Sequence, residues 1–274
     1  MSLSDLPIGI FDSGIGGLTV VRQIRRVLPK EDLVYLGDTA RVPYGTKSPN
    51  TVVRFACEDT QFLTDQNVKA VVVACNTVSA WALTELEHRF NLPIFGVIVP
   101  GALAALARTR NHRVGVIATP ATIRSGAYSR ALLARDDRIE LIAQACPLLV
   151  PLVEEGRTTG PITEAVLREY LKPLLARDID TLVLGCTHYP LLKDAIRAVA
   201  GEAVALVDSA ETCAEYVAEH LRQTRLLATE RGRLGRIQPF VTDEPEWFDG
   251  QAGLFLGEPA EQASFATLPM IELK

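Results

Sequence analysis

Cysteine is scarce and odd in number: Cys57, Cys75, Cys146, Cys186 and Cys213 are the only five thiols in 274 residues. That count argues against a disulfide framework and leaves free thiols as the default. Neither sign of charge dominates, with 28 Lys and Arg against 33 Asp and Glu for a net charge of -5. Without a basic excess the chain lacks the footprint of a nucleic-acid binder. The run Arg22-Gln23-Ile24-Arg25-Arg26 reads as the solvated side of a helix. Long apolar runs are missing too. The longest, 95–107, is interrupted by Gly96, Pro100 and Gly101 and is too short for a bilayer. The opening Met1-Ser2-Leu3-Ser4-Asp5 has neither the basic nor the apolar segment of a secretory signal. The expectation is a cytoplasmic protein with no membrane or nucleic-acid partner.

Hydrophobic residues make up 48% of the chain, ample for one or two cores. At about 150 residues per domain, the length points to nearly two domains. Short apolar runs at 8–11, 33–36, 70–74, 94–97, 114–118, 182–184 and 203–207 do not alternate with polar residues. Strands buried on both faces of a parallel sheet read this way. Helix-like stripes stand between them, at Leu18, Val21, Ile24 and Leu28, at Val78, Ala82 and Leu86, and from Ala210 to Leu221. Asp208 and Glu211 form a capping-box pattern at the start of the last. The alternation predicts an α/β fold with parallel sheets, in which ligands bind just beyond the carboxyl ends of the strands. After Arg231 the helical periodicity fades. Stretches 237–242 and 270–273 read as late strands at a sheet edge, with no evident chemistry.

The halves echo one another. Val71-Val72-Val73-Ala74-Cys75-Asn76-Thr77 and Leu182-Val183-Leu184-Gly185-Cys186-Thr187-His188 are both an apolar strand, a small residue, a cysteine and hydrogen-bonding residues. Ile8-Gly9-Ile10-Phe11-Asp12-Ser13 resembles Val114-Gly115-Val116-Ile117-Ala118-Thr119 at nearly the same spacing. Two related α/β domains facing each other would place Cys75 and Cys186 on opposite sides of one ligand. A thiol whose pKa is lowered is present as thiolate, the form that acts as base and nucleophile. One sulfur removing a proton from a carbon while the other delivers one to the opposite face inverts that carbon. Cys57, Cys146 and Cys213 read instead as buried apolar cysteines.

Other motifs qualify this reading. The turn Asp12-Ser13-Gly14-Ile15-Gly16-Gly17 has Thr19 where a dinucleotide fingerprint needs glycine, and no P-loop lysine follows. It remains either a cradle for a small anion such as a carboxylate or a structural turn. Val42-Pro43-Tyr44-Gly45-Thr46 reads as a ligand-lining loop or an ordinary turn. His188 follows Cys186 too closely for a zinc spacing and is placed to tune its thiol. Glu154 ends an apolar stretch. No motif recommends a metal, flavin or pyridoxal site.

In order and spacing, Asp12-Ser13-Gly14-Ile15-Gly16-Gly17, Pro43-Tyr44-Gly45, Ala74-Cys75-Asn76-Thr77 and Gly185-Cys186-Thr187-His188-Tyr189-Pro190 resemble the glutamate racemase family. The resemblance runs from about Ile8 to Ser209. It implies two pseudo-symmetric α/β domains, 1–98 plus 210–274 and 99–209, with the active site in the cleft between them. It implies a cofactor-independent enzyme that interconverts L- and D-glutamate, supplies D-glutamate for peptidoglycan, and forms a homodimer. Cys75 would deprotonate the D-enantiomer with support from Asp12. Cys186 would deprotonate the L-enantiomer with support from His188 and Glu154. Asp12, Ser13, Tyr44, Gly45, Asn76, Thr77, Thr119, Thr122, Thr187 and His188 would line the substrate. The alternatives are a racemase for aspartate or another small amino acid, and a non-catalytic amino-acid sensor.

Overall fold

The computed structural model describes residues 2–228 and 232–271. Among these residues ten strands form two all-parallel sheets. They are β1 (Ile8–Asp12), β2 (Leu33–Gly37), β3 (Ala70–Val73), β4 (Ile94–Gly96), β5 (Arg113–Ala118), β6 (Glu140–Ala145), β7 (Thr181–Gly185), β8 (Ala205–Asp208), β9 (Ile237–Val241) and β10 (Ser264–Phe265). The first sheet has the order β10-β9-β2-β1-β3-β4 and the second β6-β5-β7-β8. The second therefore repeats the β2-β1-β3-β4 core of the first. In each, one of the two echoed cysteines follows the third strand of that core, Cys75 after β3 and Cys186 after β7.

Both faces of the first sheet are covered, which is why its apolar runs do not alternate. On one face Ile8, Ile10, Tyr35, Ala70 and Val72 meet Leu18, Val21 and Ile24 of helix Leu18–Val27. On the other, Phe11, Val34, Leu36, Val71 and Val73 meet Val52, Phe55 and Ala56 of helix Pro49–Asp65. The first apolar cluster continues into Ile117, Leu182 and Leu184 of the second sheet and Ile196 behind it. Helix Leu18–Val27 packs on helix Ser209–Gln223, which also touches helix Ile98–Arg108. One continuous apolar layer thus joins the two sheets. Truncating a fully buried member such as Ile24 to alanine costs about 2–5 kcal/mol.

The strands expected at the seven apolar runs and at 237–242 form, with two additions. β6 is a half-buried edge strand whose Glu140-Leu141-Ile142-Ala143-Gln144-Ala145 shows no clean pattern. β10 is only two residues long. Stretch 237–242 is not an edge: β9 lies between β2 and β10. Of stretch 270–273, Met270 and Ile271 belong to no strand, and the rest lies outside the described residues. The single helix expected through Val78 and Leu86 breaks at Ala82 into Asn76–Trp81 and Leu83–Arg89. Asp208 caps its helix, its Oδ1 accepting from Ala210 N–H at 2.7 Å and Glu211 N–H at 3.4 Å. Glu211 pairs with Lys193 instead of turning back to the cap. Among the described residues no helix is long and apolar enough to cross a membrane.

Candidate active site

A cavity of about 390 Å³ opens beyond the carboxyl ends of six strands. Ser13 and Gly14 follow β1, and 42–46 come from the connection after β2. Cys75, Asn76 and Thr77 follow β3, and Thr119 and Pro120 follow β5. Cys146, Pro147, Val150, Pro151 and Glu154 follow β6, and Cys186, Thr187 and His188 follow β7. Both sulfurs thus reach one cavity from different sheets. They are close enough for the charge of Cys186 to bear on the Cys75 thiol.

Around Cys75 the environment disfavours charge. Burial pushes its thiol up to about 12, the charge of Asp12 adds to the rise, and the Val78 N–H and Ser13 hydroxyl only partly offset it. Its Sγ donates to Ser13 Oγ at 3.6 Å. Asp12 lies behind the thiol. It is 1% exposed, and its Oδ2 accepts from Gly14 N–H at 3.2 Å while Oδ1 has no hydrogen-bond partner among the described residues. Burial pushes this carboxyl up, and the charge of His188 and the N–H groups of Gly17, Gly14 and Ser13 do not fully compensate.

Beside Cys186 the arrangement differs. His188 Nδ1 is 3.9 Å from Cys186 Sγ, and Nε2 is 3.0 Å from Glu154 Oε1. Burial alone would lower the imidazole, but its bonds to Cys186 and Glu154 and their charges raise it to about 10. The ring therefore carries a proton on each nitrogen at neutral pH and aims one at each partner. Phe255 packs edge-on against it, ring centroids 5.3 Å apart. The carboxy-terminal region, expected to be without chemistry, thus reaches the site. Glu154 is the last residue of helix Leu149–Glu154, with its side chain 38% exposed.

Polar side chains close the space between the thiols. The hydroxyls of Thr77, Thr119 and Thr122 form a triangle with sides of 2.9, 3.1 and 3.0 Å. Tyr128 donates to Asn76 Oδ1 at 2.8 Å, and Asn76 Nδ2 donates to Ser209 Oγ at 3.3 Å. Two of the expected lining residues do not reach the cavity wall: Asp12 stands behind Cys75, and Thr122 behind Thr119. Tyr44 lines the wall with its hydroxyl turned to Asp38 and Asp59.

The glycine-rich turn has a packing reason. A Cβ on Gly16 would lie 2.4 Å from Thr187 Oγ1 and 2.5 Å from His188 Nδ1, so only glycine lets the first half approach the second here. Thr19, the residue that breaks the dinucleotide fingerprint, brings its hydroxyl to 2.8 Å from the Thr187 carbonyl. Cys146 was expected to be an ordinary core thiol, yet it lines the cavity beside Cys186. It follows β6 as Cys75 follows β3, so the signal that singled out the other two applied to it once β6 is recognised. Among the described residues no cluster of His, Cys, Asp and Glu is placed to hold a metal ion.

The chain is similar to known proteins. The family model described as Asp/Glu/Hydantoin racemase matches residues 8–217. A glutamate racemase of Geobacter metallireducens is 52% identical, over 91% of this chain and 92% of that one. The crystal structure of glutamate racemase from Thermus thermophilus in complex with β-chloro-D-alanine superposes with a TM-score of 0.87 at 48% identity, covering 96% of this chain and 98% of that one. The Francisella tularensis glutamate racemase in complex with D-glutamate gives 0.89 at 40% identity over the same shares. The chain belongs to the Asp/Glu/hydantoin racemase family.

Proposed function

We propose that this protein is a cofactor-independent glutamate racemase working by two-thiol proton transfer. The observation that carries the reading is a pair of cysteines from two sheets of matching topology, both lining one cavity. We infer domains 1–98 plus 210–274 and 99–209, because the first sheet draws its strands from both ends of the chain and the second only from the middle.

With L-glutamate bound, Cys186 takes the Cα proton while the Cys75 thiol gives its proton to the opposite face. With D-glutamate the roles reverse. In either direction one proton leaves Cα and one arrives, so nothing is consumed. Between turnovers the proton gained by one sulfur passes to solvent and the other sulfur regains one from solvent, through Asp12 at Cys75 and the His188–Glu154 pair at Cys186. The Cα proton of an amino acid is very weakly acidic, and preorganised donors must stabilise the charge developing on the carboxylate. The threonine triangle and the Asn76 amide supply such donors at the junction of the halves.

The product fits the supply of D-glutamate for peptidoglycan, and five free thiols fit the reducing cytoplasm. Proton NMR in heavy water is the test. The Cα signals of L- and D-glutamate should disappear with enzyme while that of aspartate persists. Faster loss from aspartate would reassign the substrate, and ligand binding with no exchange would make the protein a sensor.

A further inference from the structure

Beneath the loop that carries Tyr44 and Gly45 lies a cluster that the proton-transfer chemistry does not use. Arg41 donates from Nε to Asp38 Oδ2 at 2.6 Å, from Nη1 to Glu58, and from Nη2 to Asp59 Oδ1 at 3.0 Å. Its guanidinium stacks over Phe55, 4.0 Å from the ring centre. Asp38 and Asp59 are both fully buried. The single Tyr44 hydroxyl touches both of them: it donates to Asp38 Oδ2, and Asp59 Oδ2 lies 3.3 Å away.

One hydroxyl has one proton and cannot donate to two carboxylates. The surroundings of the two aspartates decide which one receives it. Among the described residues, every side-chain hydrogen-bond partner of Asp38 is a donor: Arg41 Nε, the Tyr44 hydroxyl, and Thr242 Oγ1 at 2.9 Å, which itself accepts from Ala40 N–H at 2.9 Å. Among the described residues Asp59 has one donor, Arg41, on Oδ1, and faces only the phenol oxygen with Oδ2. Three carboxylates around one guanidinium would also leave net negative charge in a buried site, which is costly.

Resting on the racemase reading of the adjoining cavity, we propose that Asp59 holds a proton and donates it to Tyr44 Oη. The relay Asp59–Tyr44–Asp38, clamped by Arg41, would then position the substrate-facing loop 42–46. Burial and the neighbouring charge of Asp38 both push the Asp59 carboxyl well above the usual carboxylate range. The brace sets more than one loop. A Cβ on Gly45 would sit 3.0 Å from Thr119 Cβ, so this loop is where the first half meets the threonine triangle of the second. Through Thr242 it also ties the loop to the end of β9. Asp38, Arg41 and Asp59 are thus positioning residues, outside the cavity wall.

The two aspartates respond in opposite ways to the same chemical change. In Asp59→Asn the amide oxygen still accepts from Arg41 and the amide N–H replaces the carboxyl proton toward Tyr44. Its melting temperature should stay within about 2 °C of wild type and its KM for glutamate within about twofold, since no buried group loses a partner. Asp38→Asn turns an N–H toward a donor. It should melt roughly 4–10 °C lower and raise KM about tenfold, with kcat changed less. Infrared difference spectra of wild type minus Asp59→Asn at neutral pH should show the carbonyl stretch of a buried protonated carboxyl. If Asp38→Asn does not fold, that band and the Asp59→Asn melt decide alone. The proposal is overturned if Asp59→Asn loses as much stability as Asp38→Asn, if Asp38→Asn is as mild as Asp59→Asn, or if the band is absent. Should wild type fail to racemise glutamate, the functional reading falls while the melts and the band still locate the proton.

Discussion

The two halves of the cavity are built alike and charged differently. Each sheet has the same strand order and presents its thiol just after the third strand of that order. Behind Cys75 stands a buried carboxyl with one unpartnered oxygen, and the thiol itself is held up to about 12. Beside Cys186 stands a protonated imidazole backed by a half-exposed carboxylate. At the end of β5, where the first half has Asp12, the second has Ala118. A repeated backbone therefore fixes where two sulfurs point, while a handful of unrepeated side chains decides where the protons rest. A reaction that must run equally well both ways does not need symmetric groups, only a closed proton balance.

The largest test of that comparison removes a sulfur. Cys75→Ala or Cys186→Ala should each lower kcat/KM by at least about 10³-fold in both directions, the scale of losing an obligatory acid or base. Racemic glutamate has no free-energy difference between enantiomers, so kcat/KM must fall equally for L and D whichever thiol is lost. Near-normal turnover by either variant in a polarimetric assay would rule out two bases.

Next in size are the supporting groups. His188→Asn and Asp12→Asn should each reduce kcat about 10²-fold. Although kcat/KM stays equal for the enantiomers, the separate kcat and KM values should split in opposite senses for the two variants. An identical split would mean that the two halves are not electrically distinct. Gly16→Ala, whose Cβ would strike Thr187 and the His188 ring, should cost about tenfold in activity and melt a few degrees lower.

The smallest effect is a linkage. His188 rises from 6.5 to about 10 on folding, so its charged form stabilises the protein fully below pH 6.5. That contribution declines above 6.5 and is gone once the pH passes 10. The melting-temperature gap between wild type and His188→Asn should therefore shrink over this interval. A gap that widens with pH would place the proton elsewhere.

Most of this architecture was legible because fully buried parallel strands leave an unambiguous apolar run, and because β3 and β7 end in similar sequences. β6 was not legible, since a half-exposed edge strand mixes Glu140 and Gln144 with apolar residues. Missing it hid the post-strand position of Cys146. Cys75, Cys186 and His188 stand next to strand ends and could be read in place. The Thr242 and Phe255 contacts join residues far apart in sequence, through side chains whose types are ordinary on any surface. The Asp38–Arg41–Asp59 cluster escaped for the same reason, as its charges look solvated until the helix Pro49–Asp65 folds over them. Asp12 was found, but a charge at the end of a strand does not say whether it faces the ligand or stands behind the thiol.

One isotope measurement goes directly to the two-sulfur claim. L-glutamate is incubated with enzyme in heavy water and stopped at low conversion, and both enantiomers are separated and examined for deuterium at Cα. Separate sulfurs on the two faces predict D-glutamate fully deuterated from the first turnover and recovered L-glutamate still carrying hydrogen. Deuterium appearing in the recovered L-glutamate as fast as in the product would mean that a single group serves both faces, contradicting the account.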